Sequence, residues 1–147
     1  MQYKEIEQSL FECDKNDYLY AHCISLDLAL GAGIAKQINY RYNMRSHLLT
    51  FKKQYPSYFE NFAYGFCITI DGIANLITKN KCYEKPTMKT LEESLISLKK
   101  YVVKNNIKKL AMPKIGCGLD RLNWDEVSFL IKNIFNDLDI EIIICYI

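Results

Sequence analysis

The sequence predicts an α/β fold with helices on both faces of a mixed sheet, and three observations carry that expectation. Apolar runs of strand type alternate with segments of helical periodicity over most of the chain. An Asp71-Gly72 pair between two β-rich runs inserts one hairpin, because both central positions of such a turn favour positive φ. The terminal run Ile140 to Ile147 is almost wholly apolar, so it is expected to be a strand buried on both faces.

Taken in order, Leu19 to Ile24 reads as a buried strand. It runs into Gly31-Ala32-Gly33, after which Ile34, Ala35, Ile38 and Tyr42 recur at helical spacing. A second helix is expected within Met44 to Gln54. Phe62 to Ile70 and Ile73 to Thr78 form the hairpin, which places Lys79 where its second strand ends. A long helix should follow Pro86-Thr87, with Met88, Leu91, Leu95, Leu98 and Val102 on one apolar stripe. Thr90 and Glu93 stand at capping-box spacing, so its regular part is expected to begin at Thr90 and to end near Lys104-Asn105-Asn106. Lys109 to Met112 is a short strand. Asn123, three residues before Glu126, is an N-cap for a last helix that buries Val127, Leu130, Ile131, Ile134 and Leu138.

Composition narrows the function classes. A chain of 147 residues suits one domain, large enough to fold without staples. Its net charge of +2 does not indicate a general basic field for nucleic acid. Cys13, Cys23, Cys67, Cys82, Cys117 and Cys145 form no CxxC or CxH pair, which disfavours zinc; they read as reduced core thiols of a cytoplasmic protein. No signal peptide and no apolar run of membrane-spanning length is seen, so no membrane partner is expected.

Four of the six glycines fall in two short stretches, Gly31 with Gly33 and Gly116 with Gly118. Each stretch follows a strand and precedes a helix. Glycine lets backbone N–H groups approach a ligand closely, and a helix N-terminus adds unpaired N–H groups and a partial positive charge. Two such loops side by side suit a pyrophosphate, although the same glycines also suit plain turns. Neither stretch matches GxGxxG or GxxxxGK[ST], which disfavours a dinucleotide fold or an NTPase loop.

The stretches AHCISLDLALGAGIA (Ala21 to Ala35), LITK (Leu76 to Lys79), KPT (Lys85 to Thr87) and MPKIGCGLDRLNW (Met112 to Trp124) together resemble the macrodomain family. More narrowly they are similar to its terminal ADP-ribose protein glycohydrolase branch, itself related to antitoxin macrodomains that strip ADP-ribose from DNA. The resemblance runs from about Phe11 to Ile147. It implies a single three-layer α/β/α macrodomain with a central mixed sheet, spanning residues 1–147. It further implies that Gly31, Ala32, Gly33 and Ile34, with Ile115, Gly116, Cys117, Gly118 and Leu119, hold the diphosphate and the distal ribose of ADP-ribose, with Ser25 close to that ribose. A lysine of this branch attacks the anomeric carbon of the distal ribose and an aspartate assists release; the matching residues are Lys79 and Asp120. A lysine amine is protonated at neutral pH and attacks only once it has lost that proton. Lys81 and Lys85 are expected to supply cationic company.

The chain departs from the family at the adenine end. Where many macrodomains carry an aspartate that reads the adenine amino group, Ser9 stands, followed by Leu10; both are expected at the ligand. Residues 39–63 are rich in Tyr, Lys and Arg, which suits either a solvated helix face or a grip on a nucleic-acid strand. Other residues have plainer readings. Asp120 beside Arg121 also fits a surface ion pair, His22 a satisfied core histidine, and Cys117 and Trp124 packing.

The expected activity is that of an ADP-ribosyl hydrolase, removing mono-ADP-ribose from acidic side chains or nucleobases, or deacylating O-acyl-ADP-ribose. Its expected partners are ADP-ribose or an ADP-ribosylated protein, with ADP-ribosylated DNA the other candidate. The chain is expected to be monomeric, with no cofactor and no metal. A non-catalytic ADP-ribose reader and an ADP-ribose 1″-phosphate phosphatase are the alternatives.

Overall fold

The computed structural model describes residues 1–147. Six strands form one sheet: β1 (Gln2–Glu7), β2 (Leu19–Ser25), β3 (Phe66–Ile70), β4 (Ile73–Lys79), β5 (Lys109–Pro113) and β6 (Glu141–Tyr146). Their spatial order is β1-β6-β5-β2-β4-β3, and only the β3–β4 pair is antiparallel. Asp71 and Gly72 turn that hairpin with φ of 51° and 74°. This is the mixed sheet the sequence predicts.

Four helices cover it: α1 (Gly33–Tyr42), α2 (Met44–Gln54), α3 (Met88–Lys104) and α4 (Trp124–Phe135). Alternation along the strands divides the core in two. Leu76 and Ala74 of β4, with Ile142 and Ile144 of β6, meet Leu91, Leu95, Leu98, Val127, Ile131 and Phe135 of α3 and α4. Ile73 and Ile77, with Ile143, face the other way, onto Ile38, Met44 and Leu48 of α1 and α2. Two helix layers around one sheet make the three-layer α/β/α architecture. No helix is long and apolar enough to cross a membrane.

Local chemistry moves several boundaries. The long helix starts at Met88 rather than Thr90: Thr87 is its N-cap, with its hydroxyl accepting from Thr90 N–H and Thr90 Oγ1 accepting from Thr87 N–H, so the capping box lies three residues upstream of the expected one. On α4 the fully buried positions are Val127, Ile131 and Phe135, while Leu130 and Ile134 are half-buried and Leu138 lies beyond the helix. Asn123 caps α4 as expected, its side chain accepting from Glu126 N–H. β3 begins at Phe66, because Pro56–Phe59 forms a 3-10 turn and the segment after it is irregular. β1 has no strong signature: it is an edge strand whose side chains are mostly exposed and charged.

The thiols are free. Cys13 and Cys145 are buried with sulfurs 3.7 Å apart, whereas Cys82 is exposed and so departs from the expected set of core thiols. His22 lies fully buried in β2, and its Nε2–H donates to Asn75 Oδ1 at 2.6 Å.

Candidate active site

Because β2, β4 and β5 are parallel neighbours, the loops leaving their carboxyl ends gather at one edge of the sheet. That edge is where an α/β sheet opens a ligand crevice. Here it holds a cleft of about 380 Å³. The β2–α1 loop forms one wall, with Gly31, Ala32, Gly33 and Ile34 lining it and Ser25 at the end of β2 below. Ile115, Gly116, Gly118, Leu119 and Asp120 of the β5–α4 loop form the opposite wall, and Lys79 with Cys82 to Lys85 closes the side.

The two glycine loops are built differently. Gly33 opens α1 with φ of 58°, and Gly116 turns with φ of 71°; both are left-handed conformations that side chains disfavour. A Cβ on Gly116 would also stand 2.9 Å from Leu122 Cδ1. The first turn of α1 carries no acidic residue, and its N–H groups have no helical carbonyl behind them. The amides of Gly118 and Leu119 likewise make no backbone hydrogen bond, whereas Leu122 N–H closes the loop onto Gly116 O at 2.7 Å. Both loops that line the cleft thus carry N–H groups without a backbone acceptor, an arrangement that suits an anion.

At the side of the cleft Lys79 Nζ donates to Asp120 Oδ1 at 2.7 Å. Both side chains are largely withdrawn from solvent, at 15% and 17% exposure. Lys79 ends β4, opposite Ser25 across a register shift in the β2–β4 ladder. Asp120 comes from the far loop, so the pair spans the cleft's two chemical elements. Its partner is Lys79, not the adjacent Arg121, whose φ of 59° is part of the loop's turn.

Two of the nearby thiols are shifted away from the reactive thiolate form. Burial, then the charge of Asp120, pushes the Cys23 thiol up to about 12, and burial pushes Cys117 up to about 11. Ser25 is buried, and its Oγ–H donates to Asp27 Oδ1. No group of His, Cys, Asp and Glu is arranged to hold a metal.

Three of the residues expected at the ligand do not line the cleft: Ser9, Leu10 and Cys117. Leu10 is buried in the core beneath α1 and α2, and the Ser9 hydroxyl accepts from Phe11 N–H to cap a 3-10 turn. Lys85 lines the cleft but Lys81 does not. Sequence reasoning passed over Tyr83 and Glu84, which line the cleft from an irregular loop that carries no periodic signal. In the Tyr- and Lys-rich segment, Phe51, Tyr55 and Tyr58 pack on one another with ring centroids 4.9 to 6.4 Å apart.

The family model described as Macro domain matches residues 63–131. The ADP-ribose glycohydrolase OARD1 of Homo sapiens is 40% identical over 139 residues, covering 93% of this chain and 86% of that protein. Among solved structures, the macrodomain of Mycobacterium tuberculosis DarG superimposes with a TM-score of 0.80 at 22% identity, covering 98% of this chain and 97% of that one. Thermosipho africanus DarTG in complex with ADP-ribose gives 0.76 at 19% identity, over 98% of this chain and 41% of that one. These two structures share the fold. The chain belongs to the macro domain family.

Proposed function

We propose that this macro domain protein is an ADP-ribosyl hydrolase that uses Lys79 as nucleophile and Asp120 as its proton partner. The observation that carries the reading is the 2.7 Å Lys79–Asp120 contact at a cleft lined by two glycine loops. The 40% identity to a glycohydrolase over most of both chains supports it. A protein that only bound ADP-ribose would need backbone donors and a pocket, but no paired amine and carboxylate.

The diphosphate lies between the α1 N-terminus and the Gly116–Leu119 loop, and the distal ribose reaches Ser25 and Lys79. Asp120 takes one proton from the Lys79 ammonium as the amine turns to C1″. The Nζ–C1″ bond forms, and the bond from C1″ to the acceptor breaks with its electron pair leaving on the acceptor atom, a carboxylate oxygen or a nucleobase nitrogen. Water then bonds to C1″, the C1″–Nζ pair returns to the amine together with a proton of that water, and Asp120 releases its proton to solvent. The other residues of the cleft bind and orient the ligand.

The substrate is mono-ADP-ribose on an acidic protein side chain or on a nucleobase. Incubation with a peptide mono-ADP-ribosylated on glutamate, and with an ADP-ribosylated DNA oligonucleotide, decides between them by which one yields free ADP-ribose. Asp120→Ala run alongside is expected to bind ADP-ribose and release little from either. Absence of release by the wild type from both, with phosphate freed from ADP-ribose 1″-phosphate, replaces this reading with a phosphatase.

A further inference from the structure

We infer that Asp27 is a positioning residue for Lys79, its carboxylate tying the loop after β2 to the loop after β4. The inference rests on Lys79 being the nucleophile.

The β2–β4 ladder ends where Lys79 stands. Ser25 pairs with Lys79 only after a register shift between Ile24 and Ser25, and no ladder continues beyond. What holds the two segments together past that point is a short set of hydrogen bonds centred on Asp27. Leu26 N–H donates to Lys79 O at 2.9 Å, and Asp27 N–H donates to Asn80 O at 3.1 Å. The Asp27 carboxylate then divides its oxygens. Oδ1 accepts from Ser25 Oγ–H and from Ala29 N–H at 3.2 Å, both in its own loop. Oδ2 accepts from Cys82 N–H at 2.9 Å, across in the loop that follows Lys79. On the opposite side Thr90 Oγ1–H donates to Thr78 O at 2.7 Å. Lys79 is therefore gripped from both flanks; on the Asp27 side two main-chain bonds hold Lys79 and Asn80, and the Asp27 carboxylate alone extends the tie to Cys82.

Asp27 does not line the cleft, so it acts through residues that do. Burial opposes its ionisation, yet the hydrogen bonds from Ser25, Cys82 and Ala29 hold its carboxyl below the ordinary range. Two consequences follow for the site. The Ser25 hydroxyl hydrogen is committed to Asp27, so Ser25 presents lone pairs to the cleft and accepts from a ligand hydroxyl. The Cys82 tie fixes the direction in which the chain leaves Lys79, and with it the line from Nζ to a bound ribose. An amine displaced by about 1 Å from that line loses on the order of 100-fold in rate.

The test is Asp27→Asn, which keeps size but leaves one acceptor oxygen for three donors, and Asp27→Ala, which removes both oxygens. Amide exchange at Cys82 is expected to rise. The kcat for ADP-ribose release should fall by about 10- to 100-fold, while KM and the Kd for free ADP-ribose stay within about threefold. Asp27→Ala also frees the Ser25 hydroxyl, so ADP-ribose binding should weaken there as well. A kcat for Asp27→Asn within about twofold of wild type, with Cys82 exchange raised, overturns the positioning role. Unchanged exchange at Cys82 in Asp27→Ala overturns the tie itself. A wild-type protein that releases no ADP-ribose overturns the reading of Lys79 beneath both, and is seen before any variant is made.

Discussion

Lys79 Nζ and Asp120 Oδ1 lie 2.7 Å apart, although one ends the second hairpin strand and the other sits in the loop before the last helix. The helix α3 and strand β5 that intervene serve to bring the second loop back beside the first. Each member of the pair is mostly shielded from water, and each gives the other a hydrogen-bonding partner in place of water.

That pairing gives a kinetic prediction for the carboxylate. Asp120→Asn keeps the shape and loses the charge. The half-buried ammonium then has a weaker partner, and release of ADP-ribose should fall by about 10²- to 10⁴-fold, the range for a lost acid–base group. The Kd for ADP-ribose, measured by calorimetry, is expected to move little. A full-rate Asp120→Asn would remove the carboxylate from the chemistry.

Gly116 is the most tightly packed of the glycines lining the cleft. Gly116→Ala puts a Cβ against Leu122 in a left-handed conformation, which costs about 1–2 kcal/mol on conformation alone. Both the thermal midpoint and the affinity for ADP-ribose should drop, since the loop that carries the Gly118 and Leu119 amides must shift. Gly118→Ala meets nothing within 4 Å, so only its affinity is expected to change.

The buried His22 makes stability pH-dependent. Burial, against a smaller opposing hydrogen bond from Asn75, lowers its pKa from the usual 6.5 to about 4. The folded protein therefore binds fewer protons at this site than the unfolded chain between those values. The contribution is fully present above pH 6.5 and is lost as pH falls towards 4, amounting to roughly 3 kcal/mol. Urea midpoints taken between pH 7 and pH 4.5 should fall steadily; a flat profile between pH 6.5 and 5 would contradict the burial of a neutral imidazole.

In the core, Leu95 is fully buried between α3 and the sheet. Leu95→Ala should destabilise the fold by about 2–5 kcal/mol without altering the cleft's chemistry. Chemical denaturation reads this directly.

Much of the fold was legible because the sheet interior is so apolar. Ile140 to Ile147 and Leu19 to Ile24 announced buried strands, and Asp71-Gly72 announced the hairpin that puts Lys79 at a strand end. β1 was not legible, since an exposed edge strand with a single aliphatic residue, Ile6, carries little hydrophobic signal. The start of α3 was misplaced because Thr87 and Thr90 cap one another, a pairing that a search for Glu at the third position passes over. The cleft's walls could be named from their glycines, but the Lys79–Asp120 contact could not be measured from a sequence. The roles of Ser9 and Leu10 rested on the family pattern, and the chain's own packing uses Leu10 in the core and Ser9 as a cap. Asp27 was passed over because its three hydrogen bonds reach residues as far away as Cys82.

The measurement that bears most directly on the central claim is ADP-ribose release by Lys79→Ala at saturating substrate, followed by mass spectrometry, with ADP-ribose binding measured on the same sample. The account predicts a loss of at least about 10³-fold in turnover with binding retained. Turnover at the wild-type rate would show that the amine is not the nucleophile, and the mechanism proposed for this cleft would fall.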